Sequence, residues 1–569
     1  MDMDKLFQDF WEWRLLQSPE YASLVGESKY NDGLEDFTLT RFEENVQQCK
    51  KFLIKAEELS STIENDNDRV TLKIFANQLE TFIDGSEFQG YFYPVCYLEG
   101  VQIDFQRLAE WASPKSRKDF EDLIKRYQKF DKYSEQIIEM LKLAVLEGKV
   151  YHKISMDGVL SQIERHITPT SPKETVFWKP FESSFPLEMS DLLPKAEQAI
   201  TDSVQSGFKK LHAYIKNEYL NNTRSEIGCT TLPNGKKYYA ALLKFHTSTN
   251  YTAEEIHNIG LKEVEKIENQ MKKIVNETGN GSTNLKEFAN KLRNAPEFFA
   301  NSSQELLSIF DRTISEEINP RLSKLFWKTP KTKLEIVEST EADSPAAFYI
   351  QGTKDGKRPG RFYVNTHNYK SQPIYESISL SLHEGNPGHH LQSSYLLEQP
   401  DLPQFRSAME DRIYTQAPSR FPIDTAYVEG WALYCEELGF DLDLYDNPYE
   451  RYGHLSEAAF RACRLVVDTG MHALGWSQEN AIQYMHDHTA ASLENIESEV
   501  KRYITWPGQA TGYKIGQLKI RALREIAEAA LKEKFDIRDF HEIVLMSAGP
   551  LDIVEAEVNR YIQEMLEKN

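Results

Sequence analysis

At 569 residues, 40% hydrophobic and 12% aromatic, the chain exceeds the roughly 250–300 residues at which one core stops growing, so at least two lobes are expected. Sixty-six basic residues against 88 acidic ones give a formal charge of −22, which argues against nucleic acid as a partner and disfavours anionic membrane surfaces. No apolar run approaches the roughly 18 residues of a membrane span, the acidic start Met1-Asp2-Met3-Asp4 lacks a secretory pattern, and the five cysteines are scattered without ligand spacing, so a cytoplasmic protein with reduced thiols is expected.

Taken in order, residues 5–16, 39–64, 66–82, 116–147 and 192–221 have the apolar spacing of long helices, without the sustained heptads of a coiled coil. A stretch rich in Pro, Ser and Thr at 168–194 reads as a loop between helical layers. Thr252, with Glu255 three residues on, predicts a capping box opening another helix. Three short β-like runs follow at 334–337, 347–350 and 361–365, with turn residues at 353–357, which predicts a small sheet at about 331–366. Its edge, at 348–350 or 362–365, is a place where an extended peptide could add as a further strand; Arg358 and Arg361 read as a solvated hairpin tip. The expected fold is mainly α, two-lobed, with an N-terminal helical lobe at 1–240 and a catalytic helical lobe at 241–569.

The segment following the sheet, His383-Glu384-Gly385-Asn386-Pro387-Gly388-His389-His390, places a His-Glu pair and two further histidines within eight residues. A zinc site of the H-E-x-x-H type puts two histidines one helical turn apart with the glutamate between them. Pro387 breaks that pattern, and an unbroken helix would leave His389 on the far side and His390 about 10 Å along the axis. Proline within a helix costs about 3 kcal/mol. Pro387-Gly388 is therefore read as a bulge that returns His389 or His390 to the metal.

Downstream, Glu429 lies between Val428 and Trp431 in an aromatic helix and is expected to be buried, where a carboxylate needs a partner or a metal. Glu436 and Glu437 are rivals, expected to face solvent. Arg464, Asp468 and His472 recur every four residues and share one helix face, from which Asp468 could orient a zinc-bound imidazole and His472 could touch substrate. The Pro507-Gly508 turn presents Tyr513, a candidate donor to the oxyanion formed when water attacks an amide, and Lys514, a candidate contact for a substrate carboxylate.

Together, His383-Glu384-x-x-Pro387-Gly388-His389-His390-x-Gln392, Glu429-Gly430-Trp431-Ala432, Arg464 to His472, and Pro507-Gly508-Gln509-Ala510-x-x-Tyr513-Lys514 resemble the family catalogued as domain of unknown function 885. The resemblance implies a zinc-metallopeptidase-like fold, similar in plan to carboxypeptidase Taq and thimet oligopeptidase, and adds Gln509 to the residues around the site. The expected activity is hydrolysis of small peptides with one zinc ion, or another divalent transition metal, on His383, His389 or His390, and Glu429. Glu384 serves as general base, and Tyr513, with His472, stabilises the oxyanion. The competing readings are a hydrolase of a non-peptide amide or ester, and an inactive binding protein on the same fold.

Overall fold

A computed structural model describes residues 2–568 except 62, 64, 113, 183–184, 279–283, 341–344 and 410. The fold is mainly α-helical with a small three-stranded sheet. The chain divides into two compact units, one of Met1–Ala241, Glu410–Pro422 and Ile504–Trp506, the other of Leu242–Met409, Ile423–Tyr503 and Pro507–Asn569.

In the first unit the predicted helices form at Met3–Gln17, Leu39–Ser60, Asp66–Gly85 and Arg117–Leu146. The second of them stops before residue 64, and Glu64 lies outside the described residues. The single helix expected at 192–221 is instead interrupted: Leu193–Ala199 and Ser206–Asn217 are joined by a wider turn at Ile200–Gln205. Two polar side chains hold that turn, with Ser203 Oγ accepting from the Asp131 amide (3.0 Å) and Gln205 Nε2 donating to the Pro169 carbonyl (3.0 Å). The stretch at 168–194 forms short helices of one or two turns over a core containing Phe177, Trp178 and Phe181; Ser183 and Ser184 lie outside the described residues. The returning segment is tied in through Glu99, which accepts from the Tyr414 and Thr415 amides at 3.0 and 2.9 Å.

In the second unit α1 (Ala253–Glu277) is capped as expected: Thr252 Oγ1 accepts from the Glu255 amide and the Glu255 carboxylate accepts from the Thr252 amide. Strands β1 (Leu334–Ser339), β2 (Ala347–Ile350) and β3 (Gly360–Asn365) pair in the order β1-β3-β2, with β1 parallel and β2 antiparallel to β3. Because β3 is central, residues 362–365 cannot be the docking edge considered from sequence. Both their sides already carry ladder partners, which leaves 348–350 on β2.

The helices that carry the chemistry follow: α2 (Ser377–Glu384), α3 (His389–Leu397), α4 (Thr425–Asp441), α5 (Pro448–Ala473), α6 (Leu493–Thr505) and α7 (Gln509–Leu531). Every α4 residue from Thr425 to Glu436 is buried, because the helix is apolar around most of its circumference. It crosses α7 backbone to backbone: a Cβ on Gly516 would lie 1.7 Å from the Ala426 carbonyl oxygen. Trp431 and Tyr434 of α4 pack on His541, whose ring stacks on Phe326 at 4.8 Å.

His541 supplies an acid-sensitive support for this packing. Its Nδ1 donates to the Leu325 carbonyl (2.9 Å) and its Nε2 accepts from Tyr434 Oη (2.9 Å), so the neutral ring is the one that fits. Burial pushes its pKa down to about 3. Its contribution is therefore complete above the unfolded-state value near 6.5 and is lost as pH falls toward the folded value. Between pH 6.5 and 4.5 this one group is expected to remove roughly 2–3 kcal/mol of stability. Urea denaturation at both pH values should show a drop for the wild type that exceeds the drop for His541→Gln by about that amount.

Candidate metal centre

The helix carrying His383 and Glu384 ends at Glu384, and α3 starts at His389, so the predicted bulge is a four-residue linker. The linker doubles back tightly. The His390 amide donates to the Gly385 carbonyl, and Trp431 Nε1 of α4 donates to the Pro387 carbonyl at 2.9 Å. A Cβ on Gly388 would stand 1.9 Å from the His383 carbonyl oxygen and 2.4 Å from that of Leu382, so no side chain fits there. Gly388→Ala is expected to destabilise by at least about 3 kcal/mol and to lower metal affinity together with stability, as measured by urea denaturation and metal titration.

This turn brings His383 and His389 to one point, their ring centroids 4.9 Å apart and nearly perpendicular. Glu429 Oε2 lies 3.6 Å from His383 Nε2 and 3.3 Å from His389 Nε2, and one ligand atom from each of the three residues falls within 4.8 Å of the others. Ligands about 2.0–2.2 Å from a tetrahedral zinc ion stand about 3.3–3.6 Å apart, so the two His-to-Glu spacings match such an ion, and two imidazoles with one carboxylate leave a fourth position open. All three residues are at most 6% exposed. Burial works against the charged forms of both His383 and Glu429, yet the carboxylates of Glu429 and Glu436 carry His383 up to about 10 and the two histidines hold Glu429 well below the usual carboxylate range. The pocket favours a cation, whether a proton on His383 or a metal ion.

His390 is placed elsewhere. Its Nε2 donates to the Thr332 carbonyl (3.1 Å) and its Nδ1 accepts from Tyr349 Oη (3.1 Å), so both ring nitrogens are used and neither is left to bind an ion. Of the two histidines that the sequence left open, His389 faces Glu429. Glu384 is buried beside His383, and its Oε2 has no hydrogen-bond partner among the described residues.

Glu436 differs from its expected place at the solvent. It is 2% exposed, and its Oε1 lies 2.8 Å from Nδ1 of His383, two turns along α4 from Glu429. A rotation of 7 residues brings a helix back to nearly the same face, so the i, i+7 spacing inside an apolar helix was the available signal.

The remaining candidates lie on α5 and α7. Both oxygens of Asp468 accept from the Gly508 amide at 3.1 Å, holding the turn before α7, where Gly508 has the left-handed φ of 82°. His472 is fully buried, with Nε2 donating to the Tyr503 carbonyl (2.9 Å), which corrects the substrate contact expected of it: the ring joins α5 to α6. Arg464 donates to Tyr503 Oη and Glu499, and its guanidinium lies 4.6 Å over the Tyr513 ring. Lys514 is buried against Glu263 of α1 at 3.5 Å rather than presented to a substrate. Tyr513 Oη accepts from Arg502 (3.1 Å) and Gln509 (3.4 Å), which leaves its own proton to donate. Gly516, one turn after Tyr513, packs against Gly430, the neighbour of Glu429.

The family model described as "Bacterial protein of unknown function (DUF885)" matches residues 19–558. Among solved structures, the chain is similar to a protein described as a "putative lipoprotein" from Colwellia psychrerythraea, at 27% identity and a TM-score of 0.89 over 99% of each chain. It shares its fold with a "putative lipoprotein of unknown function" from Shewanella oneidensis, at 17% identity and a TM-score of 0.72 over the full length of both. No curated protein matches the chain. Among the described residues no helix is long and apolar enough to cross a membrane.

Proposed function

We propose that this chain, which belongs to the DUF885 family, is a zinc-dependent hydrolase acting as a metallopeptidase on small peptides. The observation that carries the reading is the convergence of His383, His389 and Glu429 on one buried point, with Glu384 next to it bearing a carboxylate oxygen that has no partner among the described residues. A divalent ion on those three side chains would supply Lewis acidity, polarising a carbonyl and making water more acidic. Each protein group then has a defined task. Glu384 takes the proton of the attacking water on its carboxylate and returns it to the leaving amine nitrogen. Tyr513, its hydroxyl fixed by Arg502 and Gln509, donates to the carbonyl oxygen as that atom gains charge. Enclosure within mostly buried side chains limits the water around these groups and strengthens their electrostatic effect.

Two measurements on the purified wild-type protein test this. Metal analysis is expected to find about one zinc ion per chain, and digestion of a peptide library is expected to yield cleavage that a chelator stops and added zinc restores. A protein that holds no divalent metal, or cleaves equally well after chelation, contradicts the proposal. Cleavage of esters or non-peptide amides with no peptide product would move the substrate class while keeping the centre. The proposed location is the cytoplasm, supported by five buried cysteines without disulfides; cell fractionation tests it, and recovery in the membrane fraction would contradict it.

A further inference from the structure

We infer that Glu436 is a positioning residue that sets the tautomer and orientation of His383, an inference that rests on the metal centre proposed above. Glu436 Oε1 and His383 Nδ1 are 2.8 Å apart, with side chains 2% and 5% exposed, so the contact is sheltered from water. A carboxylate accepts hydrogen bonds only. Nδ1 of His383 must therefore carry the proton of that bond, and in the neutral ring the lone pair sits on Nε2. Nε2 is the atom that faces Glu429 Oε2. One helix thus supplies both the carboxylate beside the imidazole's ligating nitrogen and the one behind its opposite nitrogen.

Glu436 is itself held in place. Tyr445 Oη donates to its backbone carbonyl (2.8 Å) and accepts from Ser379 Oγ of α2 (2.8 Å), which ties the segment bearing Glu436 to the helix bearing His383. The Arg461 guanidinium approaches Oε1 at 3.9 Å and also pairs with Glu457. A buried carboxylate carries a desolvation cost of several kcal/mol, and a bond to an imidazole that must point in one direction gives it a use beyond joining α2 to α4. His390 provides the contrast on the same short segment: its two nitrogens go to a hydroxyl and a carbonyl, with no carboxylate behind either.

The test is zinc affinity, read by competition with a chelator well below the melting temperature, for wild type, Glu436→Ala, Glu436→Gln and the neighbouring control Glu437→Gln. Cobalt-loaded visible spectra and the melting of each metal-free protein accompany it. Loss of an orienting partner typically weakens metal binding about 10- to 100-fold, the effect expected for Glu436→Ala. Glu436→Gln keeps an acceptor oxygen without the charge, so a smaller loss of at least about threefold is expected, and it carries the test if the alanine variant does not fold. Glu437→Gln should bind as wild type does. A residue that only joins two helices would lower melting and leave the affinity and cobalt spectrum of the folded protein unchanged; that result overturns the inference alone. If the wild type takes up neither zinc nor cobalt, the metal centre itself is wrong, and the role of Glu436 falls with it.

Discussion

Replacing Glu384 by glutamine is expected to lower the turnover of a cleaved peptide by about 100- to 10,000-fold while zinc content stays at the wild-type level. The substitution removes one property. Glutamine fills the same volume and can still accept a hydrogen bond, but it cannot take up a proton near neutral pH. Glu384 is not among the three side chains that converge as ligands, so metal retention should be unaffected. Its Oε2, without a partner among the described residues, sits in a buried setting, where its acceptor capacity is left for a reacting group. Steady-state kinetics with metal analysis on the same preparation gives the answer: unchanged turnover removes Glu384 as the base, and activity lost in step with zinc makes it a support of the site.

The second large effect separates two adjacent histidines. His389→Ala is expected to weaken zinc binding by more than the roughly 10- to 100-fold typical of losing an orienting partner, because a direct ligand goes. His390→Ala is expected to keep zinc and instead lose about 2–4 kcal/mol of stability, since it strands the Thr332 carbonyl and the Tyr349 hydroxyl and opens a cavity. Zinc titration and urea denaturation on the two variants should therefore give opposite patterns. The same pattern in both, or the reverse assignment, would mean that the linker holds its histidines differently.

Much of this arrangement was legible in the chain before any coordinates. The Pro387-Gly388 break, the burial of Glu429 beside Trp431 and the three strands before the His-Glu helix all follow from local rules about proline, apolar flanks and alternation, and the structure has each of them. The choice between His389 and His390 was not legible, because it depends on Tyr349 and on the Thr332 carbonyl, which reach His390 from about 40 and 60 residues away. Asp468 and His472 were assigned to chemistry because their helix-face spacing is real. What lies opposite that face is the Gly508 turn and the end of α6, a matter of tertiary packing that spacing alone does not specify. Glu436 departs from expectation for the opposite reason: a charged residue near other acidic residues is usually solvated, and the apolar character of α4 around most of its circumference outweighs that tendency.

Anomalous diffraction at the zinc absorption edge, from crystals of the wild-type protein grown with zinc, measures the central claim most directly. A single peak within bonding distance of His383 Nε2, the His389 ring and the Glu429 carboxylate is the predicted result. Featureless density at that point, or zinc bound only at other residues, would contradict it.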